Sequence, residues 1–190
     1  MATEKQYHPR RPLPGEPVLD QAIEAMIRVD HAGEFGATRI YDGQLAVFGK
    51  NHQHTPAIRK MADQEQEHLE CFDKMLTERA VRPTLLGPIW DVAGFALGAI
   101  TALMDEKAAM ACTVAVEDVI EEHYQSQLDD LKNWKSEPDL AKTIAKFRKD
   151  ELEHRDTAIE YGAEQAIGYK LLSGLIKSGC RSAIWLSKRI

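Results

Sequence analysis

Apolar positions along this chain almost nowhere alternate with polar ones, and runs of β-branched residues that would mark strands are nearly absent. Helix punctuation is frequent instead. Thr55-Pro56 reads as an N-cap followed by proline at the first helical position, opening a segment that runs to about Arg79. Ser136-Glu137-Pro138-Asp139 repeats that grammar, with Ser136 as cap and Asp139 in the first turn. The pattern predicts helices over 18–48, 55–79, 84–104, 107–134, 137–165 and 167–188. Four of these are 25 residues or longer, so the expected fold is all-α, an elongated bundle. Residues 1–17, with Pro9, Pro12, Pro14 and Pro17, read as a flexible arm, and 18–190 as a single domain.

Two apolar segments stand apart. Residues 85–104, LLGPIWDVAGFALGAITALM, carry one charge, Asp91. They approach the ~20 residues that cross a bilayer, but Pro88 and Asp91 in the first third favour a buried or interfacial helix. In the C-terminal segment Lys170, Lys177, Arg181 and Lys188 recur at spacings that keep them on one stripe, with Leu172, Leu175 and Ile176 roughly opposite. Such a helix either lies on an anionic membrane surface or packs on the bundle with its lysines reaching solvent. Taken with 85–104, membrane contact is the expectation.

The length of 190 residues and 44% hydrophobic content suit one domain with a true core. A net charge of -6 argues against nucleic acid as a partner. Cys71, Cys112 and Cys180 are too scattered for a disulfide framework or a metal knuckle, which fits a reducing compartment. The start of the chain has no apolar stretch of the secretory kind.

An internal repeat carries the chemistry. Glu34 is followed 31 residues later by Glu65-Gln66-Glu67-His68, and Glu117 is followed 34 residues later by Glu151-Leu152-Glu153-His154. Tyr41, Gln44 and Leu45 follow Glu34 at the same offsets as Tyr124, Gln127 and Leu128 follow Glu117. The i, i+3 spacing sets Glu65 beside His68 and Glu151 beside His154. Folding the halves together therefore gathers four carboxylates and two imidazoles, the donor set of a di-iron or di-manganese site. The expected metal ligands are Glu34, Glu65, His68, Glu117, Glu151 and His154. Gly33 and Gly36 flank Glu34 at a helix-propensity cost of ~1 kcal/mol each, which room for close helix approach or coordination would explain. Asp30, one turn before Glu34, is a candidate to orient a ligand histidine. His31 and His123 have no counterpart in the other half and stay outside the site, and Glu67 and Glu153 face solvent. Tyr41 and Tyr124 share the ligand face as core tyrosines or as acting groups, with Tyr124 the candidate catalytic residue.

The stretches RVDHAGEFGATRIY (28–41), DQEQEHL (63–69), ACTVAVE (111–117) and DELEH (150–154), with RPTLLGPIWDVAGFALG (82–98) and GCRSAIWLS (179–187), resemble the demethoxyubiquinone hydroxylase family. The likeness covers about residues 22 to 190. It implies a ferritin-like four-helix bundle with two additional helices, hydrophobic and amphipathic. It implies two iron ions per chain on the six residues named, O₂ and a reductant (NADH or quinol) as co-substrates, and hydroxylation of the ring of a demethoxyubiquinone or its quinol. The expected partners are a polyprenyl quinone, a membrane surface, other ubiquinone-biosynthesis proteins and further copies of the chain. The polar, proline-rich start departs from the transit segment of eukaryotic members. It points to the cytoplasmic side of a bacterial inner membrane, or to the mitochondrial inner membrane for a processed form. No GxGxxG nucleotide loop is visible. The alternative reading is an iron-storing or peroxide-detoxifying bundle, which has no need of the 85–104 helix.

Overall fold

The computed structural model describes residues 19–190, so the expected arm over 1–17 lies outside the described residues. Among these, the elements are α1 (Leu19–Phe48), α2 (Thr55–Glu78), α3 (Gly87–Met104), α4 (Glu106–Trp134), α5 (Pro138–Glu160), a 3₁₀ turn (Ala163–Gln165) and α6 (Tyr169–Ser187). The expected all-α architecture is what forms. α1, α2, α4 and α5 make the bundle; α3 packs along α1, and α6 along α4. The sequence repeat is thus a three-helix repeat, in which each half adds one outer helix to its own lone-glutamate helix.

α3 and α6 begin at Gly87 and Tyr169, later than the expected 84 and 167; three other departures at helix ends have local reasons. Thr55 is helical and buried, with His54 before it as cap; its hydroxyl donates to the Gly49 carbonyl at 2.7 Å and closes the turn. The cap of α5 is Glu137, not Ser136. Lys135 and Glu137 both hold left-handed backbone, and Arg79 at the end of α2 fixes the Glu137 carboxylate through two bonds of 3.0 and 2.7 Å. α5 stops at Glu160 and not at 165, because Gly162 at φ +86° turns the chain out of the helix.

The core follows a seven-residue rhythm centred on the glutamates. Ile27, Glu34 and Tyr41 line α1; Ile58, Glu65 and Phe72 line α2; Met110, Glu117 and Tyr124 line α4; Ile144, Glu151 and Ala158 line α5. All twelve are buried. Ile27, Phe72, Tyr124 and Ile144 belong to one apolar cluster, and Tyr41, Ile58, Met110 and Ala158 to another. The glutamates therefore form a charged layer between two apolar ones.

Outside the bundle, α3 presses on α1 through glycine. A Cβ on Gly94 would lie 2.9 Å from the Gly36 carbonyl, and one on Gly98 would overlap the carbonyl of Ile40. Only 22% of α3 is buried, and Ile89, Val92, Ile100 and Leu103 stand exposed. Its one charge, Asp91, turns inward to Arg39 of α1 at 2.5 Å.

Candidate metal centre

A carboxylate at a core position costs several kcal/mol unless it is neutralised, and the bundle places four in one layer. The structure brings the six expected side chains together. His154 Nδ1 lies 3.0 Å from Glu65 and 3.3 Å from Glu151; His68 Nδ1 lies 3.2 Å from Glu151 and 3.5 Å from Glu34. Donor atoms of Glu34, Glu65, His68 and Glu151 converge within 4.8 Å of one another, and so do those of Glu65, Glu117, Glu151 and His154. Glu65 and Glu151 belong to both groups. Glu34 with His68 closes one end, and Glu117 with His154 the other.

The electrostatics record the crowding. Burial, then the neighbouring Glu151, pushes the Glu65 and Glu117 carboxyls well above the usual range. Burial also raises Glu151, against the opposing hydrogen bond of His68. Burial works on Glu34 in the same sense, but the hydrogen bond and charge of His68 outweigh it and hold the group below its ordinary value. For His68 burial favours the neutral ring, yet hydrogen bonds to Glu151 and Glu34 raise it to about 10. His154 is lowered by burial.

The residues fit a pair of divalent cations. Both oxygens of Glu65 and of Glu151, Oε2 of Glu34 and of Glu117, and Nδ1 of both histidines are buried, and none has a hydrogen-bond partner outside the cluster among the described residues. Oxygen and imidazole donors of this kind suit iron or manganese, and two divalent charges offset four carboxylates.

A ring of contacts crosses between the halves. Tyr41 donates to Glu117 Oε1 at 2.6 Å, and Tyr124 donates to Glu34 Oε1. Gln44 donates to Thr113, four residues before Glu117, and Gln127 to Asp30, four residues before Glu34. Asp30, a candidate to orient a histidine of the cluster, reaches neither His68 nor His154: Gln127 holds it at 2.7 Å, and His123 lies 3.5 Å away. That role falls to Asp150, whose Oδ2 lies 3.1 Å from His68 Nε2. His31 pairs with Asp73 at 2.9 Å, outside the cluster, and Glu67 and Glu153 are exposed.

A cavity of about 500 Å³ bordered by α1, α3, α4 and α6 was not foreseen from the sequence, where its one trace is the pair of glycines beside Glu34. Glu34 and Tyr124 form its floor, and Val116, Ile120, Leu172 and Ile176 are among its apolar walls. Nothing lies within 4 Å of the Cβ positions of Gly33 and Gly36, which also line it. These glycines leave the cavity its width; the close contact of α1 with α3 is made at Gly43, Gly94 and Gly98. Two residues of the expected basic stripe of α6 pair with α4: Lys177 with Asp118 at 2.7 Å, half-buried, and Arg181 with Glu122 at 2.9 Å, exposed. Lys170 and Lys188 remain exposed.

Fold and site together define a class, the helical bundles of two like halves that bury a carboxylate–imidazole cluster suited to a pair of metal ions. Within that class the family model for ubiquinone biosynthesis protein COQ7 matches residues 21–187, and the chain belongs to that family. It is similar to the 3-demethoxyubiquinol 3-hydroxylase of Rhodospirillum rubrum, 53% identical over 94% of this chain and 83% of the relative. Its identity to the NADPH-dependent 3-demethoxyubiquinone 3-hydroxylase, mitochondrial, of Dictyostelium discoideum is 55% over 92% of this chain and 81% of the relative. With the human protein of that name it is 50%, over 89% and 78%.

Proposed function

We propose that the chain is a 3-demethoxyubiquinol 3-hydroxylase of ubiquinone biosynthesis, an O₂-dependent monooxygenase that places a hydroxyl on the ring of a membrane-borne quinol. The observation that carries this reading is the apolar cavity whose floor is Glu34 and Tyr124. A quinone ring and the first units of a polyprenyl tail need such a space, and a storage or peroxide-consuming bundle does not.

Glu34, Glu65, His68, Glu117, Glu151 and His154 would hold two iron ions, which supply the reduction of O₂ and the transfer of one oxygen atom to the ring. The other oxygen atom leaves as water, taking two electrons and two protons; a quinol would supply all of these, and a reduced nicotinamide the two electrons and one proton, with the second proton from solvent. The relative from Dictyostelium discoideum is named NADPH-dependent. The apolar walls exclude water from the reacting ring. Gly33 and Gly36 make room for it beside Glu34. Burial, then the adjacent Glu34, pushes the Tyr124 phenol well above its ordinary range, so its proton stays on the hydroxyl directed at Glu34. Tyr124 is the catalytic residue in this reading, because it lies between substrate space and cluster.

The outer faces of α3 and α6 would rest on the membrane that carries the substrate. Ile89, Val92, Ile100 and Leu103 of α3 and Leu171, Leu175 and Trp185 of α6 are exposed apolar groups that water does not favour. Membrane proximity also suits a tail too long for the cavity. The location we propose is peripheral, on the cytoplasmic side of a bacterial inner membrane or on the mitochondrial inner membrane for a processed eukaryotic form.

The test is anaerobic loading with Fe²⁺, addition of demethoxyquinol, then ¹⁸O₂, with mass spectrometry of the quinone. One ¹⁸O atom in the ring supports the proposal; iron oxidation with unaltered quinone overturns it.

A further inference from the structure

The two halves of the site match in their six donor residues and in Tyr41 and Tyr124, but differ at the position just before each Glu-x-x-His motif. Asp150 stands there in the second half and Gln64 in the first. Each reaches across to the histidine of the other half, on the ring nitrogen that faces away from the cluster. Asp150 Oδ2 lies 3.1 Å from His68 Nε2, whereas Gln64 Oε1 lies 3.4 Å from His154 Nε2. The first contact sets a carboxylate on the ring; the second is longer and sets a neutral amide there.

Packing widens the difference. The His68 ring stacks on Phe147 with centroids 3.9 Å apart and an interplanar angle of 26°. His154 meets only the edge of Tyr41, at 6.3 Å. His68 is thus fixed by a stacked ring and a charged acceptor, while His154 has neither. A carboxylate on the far nitrogen orients a ligating imidazole and strengthens it as a donor, and its loss typically costs 10–100-fold in metal affinity.

We infer that the two metal positions are unequal, with the position at Glu34 and His68 filled first because Asp150 positions His68. This rests on the reading of the cluster as a two-metal site. Asp150 is a positioning residue: it touches neither substrate nor metal, and acts through the imidazole. Gln64 leaves the position at Glu117 and His154 the weaker one.

Metal-stripped full-length protein would be titrated anaerobically with Mn²⁺, with free ion measured by its electron paramagnetic resonance signal and bound ion by calorimetry. The parent should bind two ions in two steps. Separate steps alone decide nothing, since two cations sharing Glu65 and Glu151 repel each other whatever the surroundings. The variants carry the decision. Asp150→Asn should weaken the first step by about 10–100-fold and leave the second within about threefold. Gln64→Asp should strengthen the second step alone. The exchange variant, Gln64→Asp with Asp150→Gln, should restore two separated steps with the order reversed. A further His68→Ala in that variant should then spare the tighter step, whereas in the parent it abolishes it. Equal weakening of both steps by Asp150→Asn, or none, overturns the inference while leaving the two-metal reading intact. A parent that binds no Mn²⁺ overturns both. Circular dichroism of each metal-free variant separates a lost fold from a lost site.

Discussion

Tyr41 on α1 donates to Glu117 on α4, and the residue that matches Tyr41 in the repeat, Tyr124, donates to the residue that matches Glu117, Glu34. Each half thus holds the terminal carboxylate of the other. The pairs are alike in the cluster and unlike in their surroundings, because Tyr124 borders the cavity and Tyr41 does not. Tyr124→Phe should therefore lower ring hydroxylation by about tenfold or more, the loss of one hydrogen bond to a charged group. Tyr41→Phe should reduce it far less. Both should keep two irons per chain. Initial rates and iron content of the two variants check this; equal losses of rate would remove Tyr124 from its assigned role.

The sharing of Glu65 and Glu151 between both donor groups predicts a graded effect of carboxylate removal. Glu151→Ala should cost both metal ions, and Glu117→Ala one. Metal analysis after dialysis measures this. Two ions retained in either variant would contradict the ligand assignment. Removing a carboxylate also relieves like-charge repulsion, so the metal-free variants should unfold no earlier than the metal-free parent.

The layer of carboxylates was legible in the sequence because each half repeats a lone glutamate followed 31 or 34 residues later by a Glu-x-x-His pair. The offsets of Tyr and Gln behind each lone glutamate were equally legible, and they proved to be contacts between the halves. The place of Asp30 was not legible because helical spacing says only that it shares a face with Glu34, and Gln127, far away in sequence, holds it elsewhere. The pairing of two α6 stripe residues was not legible for the same reason: Asp118 and Glu122, the partners of Lys177 and Arg181, lie 59 residues earlier, on a helix whose neighbours no local pattern declares. The cavity is a property of four helices at once and left no mark except two glycines.

Those glycines separate packing from function in a direct way. Gly33→Ala adds a methyl into open space and should stabilise the chain by up to about 1 kcal/mol through helix propensity. Gly33→Leu should keep the fold but fill the cavity and abolish turnover of a long-tailed quinol. Gly98→Ala instead drives a methyl into the Ile40 carbonyl and should destabilise by about 1–3 kcal/mol as α3 is forced off α1. Thermal denaturation and quinol turnover of the three variants decide the matter. Destabilisation by Gly33→Ala would show that the space is not open.

Stability of the metal-free chain should fall as pH rises above neutrality. The raised His68 contributes stability that is fully present below its ordinary value of 6.5 and is lost as pH climbs through about 10. Glu65, Glu117 and Glu151, raised by burial, act in the same sense: they cost least while protonated and most once ionised. The lowered His154 and Glu34 have completed their own changes by about pH 7, so they do not offset this decline. Bound divalent cations replace the protons and should flatten the profile. The check is Tm between about pH 7 and pH 10 with and without saturating Mn²⁺; a metal-free Tm that rises over this range contradicts the assigned directions.

Membrane attachment should depend on apolar groups more than on the basic stripe. Val92→Glu with Leu103→Glu places two charges on the outer face of α3, where both side chains are exposed, and should abolish co-sedimentation with vesicles, neutral or anionic. Of the four residues of the basic stripe, Lys177 and Arg181 are held by α4 carboxylates, whereas Lys170 and Lys188 are exposed. Reversing those two to Glu should weaken binding to anionic vesicles by at least about thirtyfold at low salt, since each basic residue near an anionic surface contributes about 1 kcal/mol. The effect should shrink as salt screens it and vanish on neutral lipid. Reversing Lys177 and Arg181 instead sets like charges against Asp118 and Glu122, so it should lower Tm as well as binding. If the α3 variant sediments like the parent while keeping its metal, the exposed face of α3 is not the membrane contact. Turnover of a tail-less quinol separates delivery from chemistry, because the α3 variant should lose the long-tailed substrate and keep the soluble one.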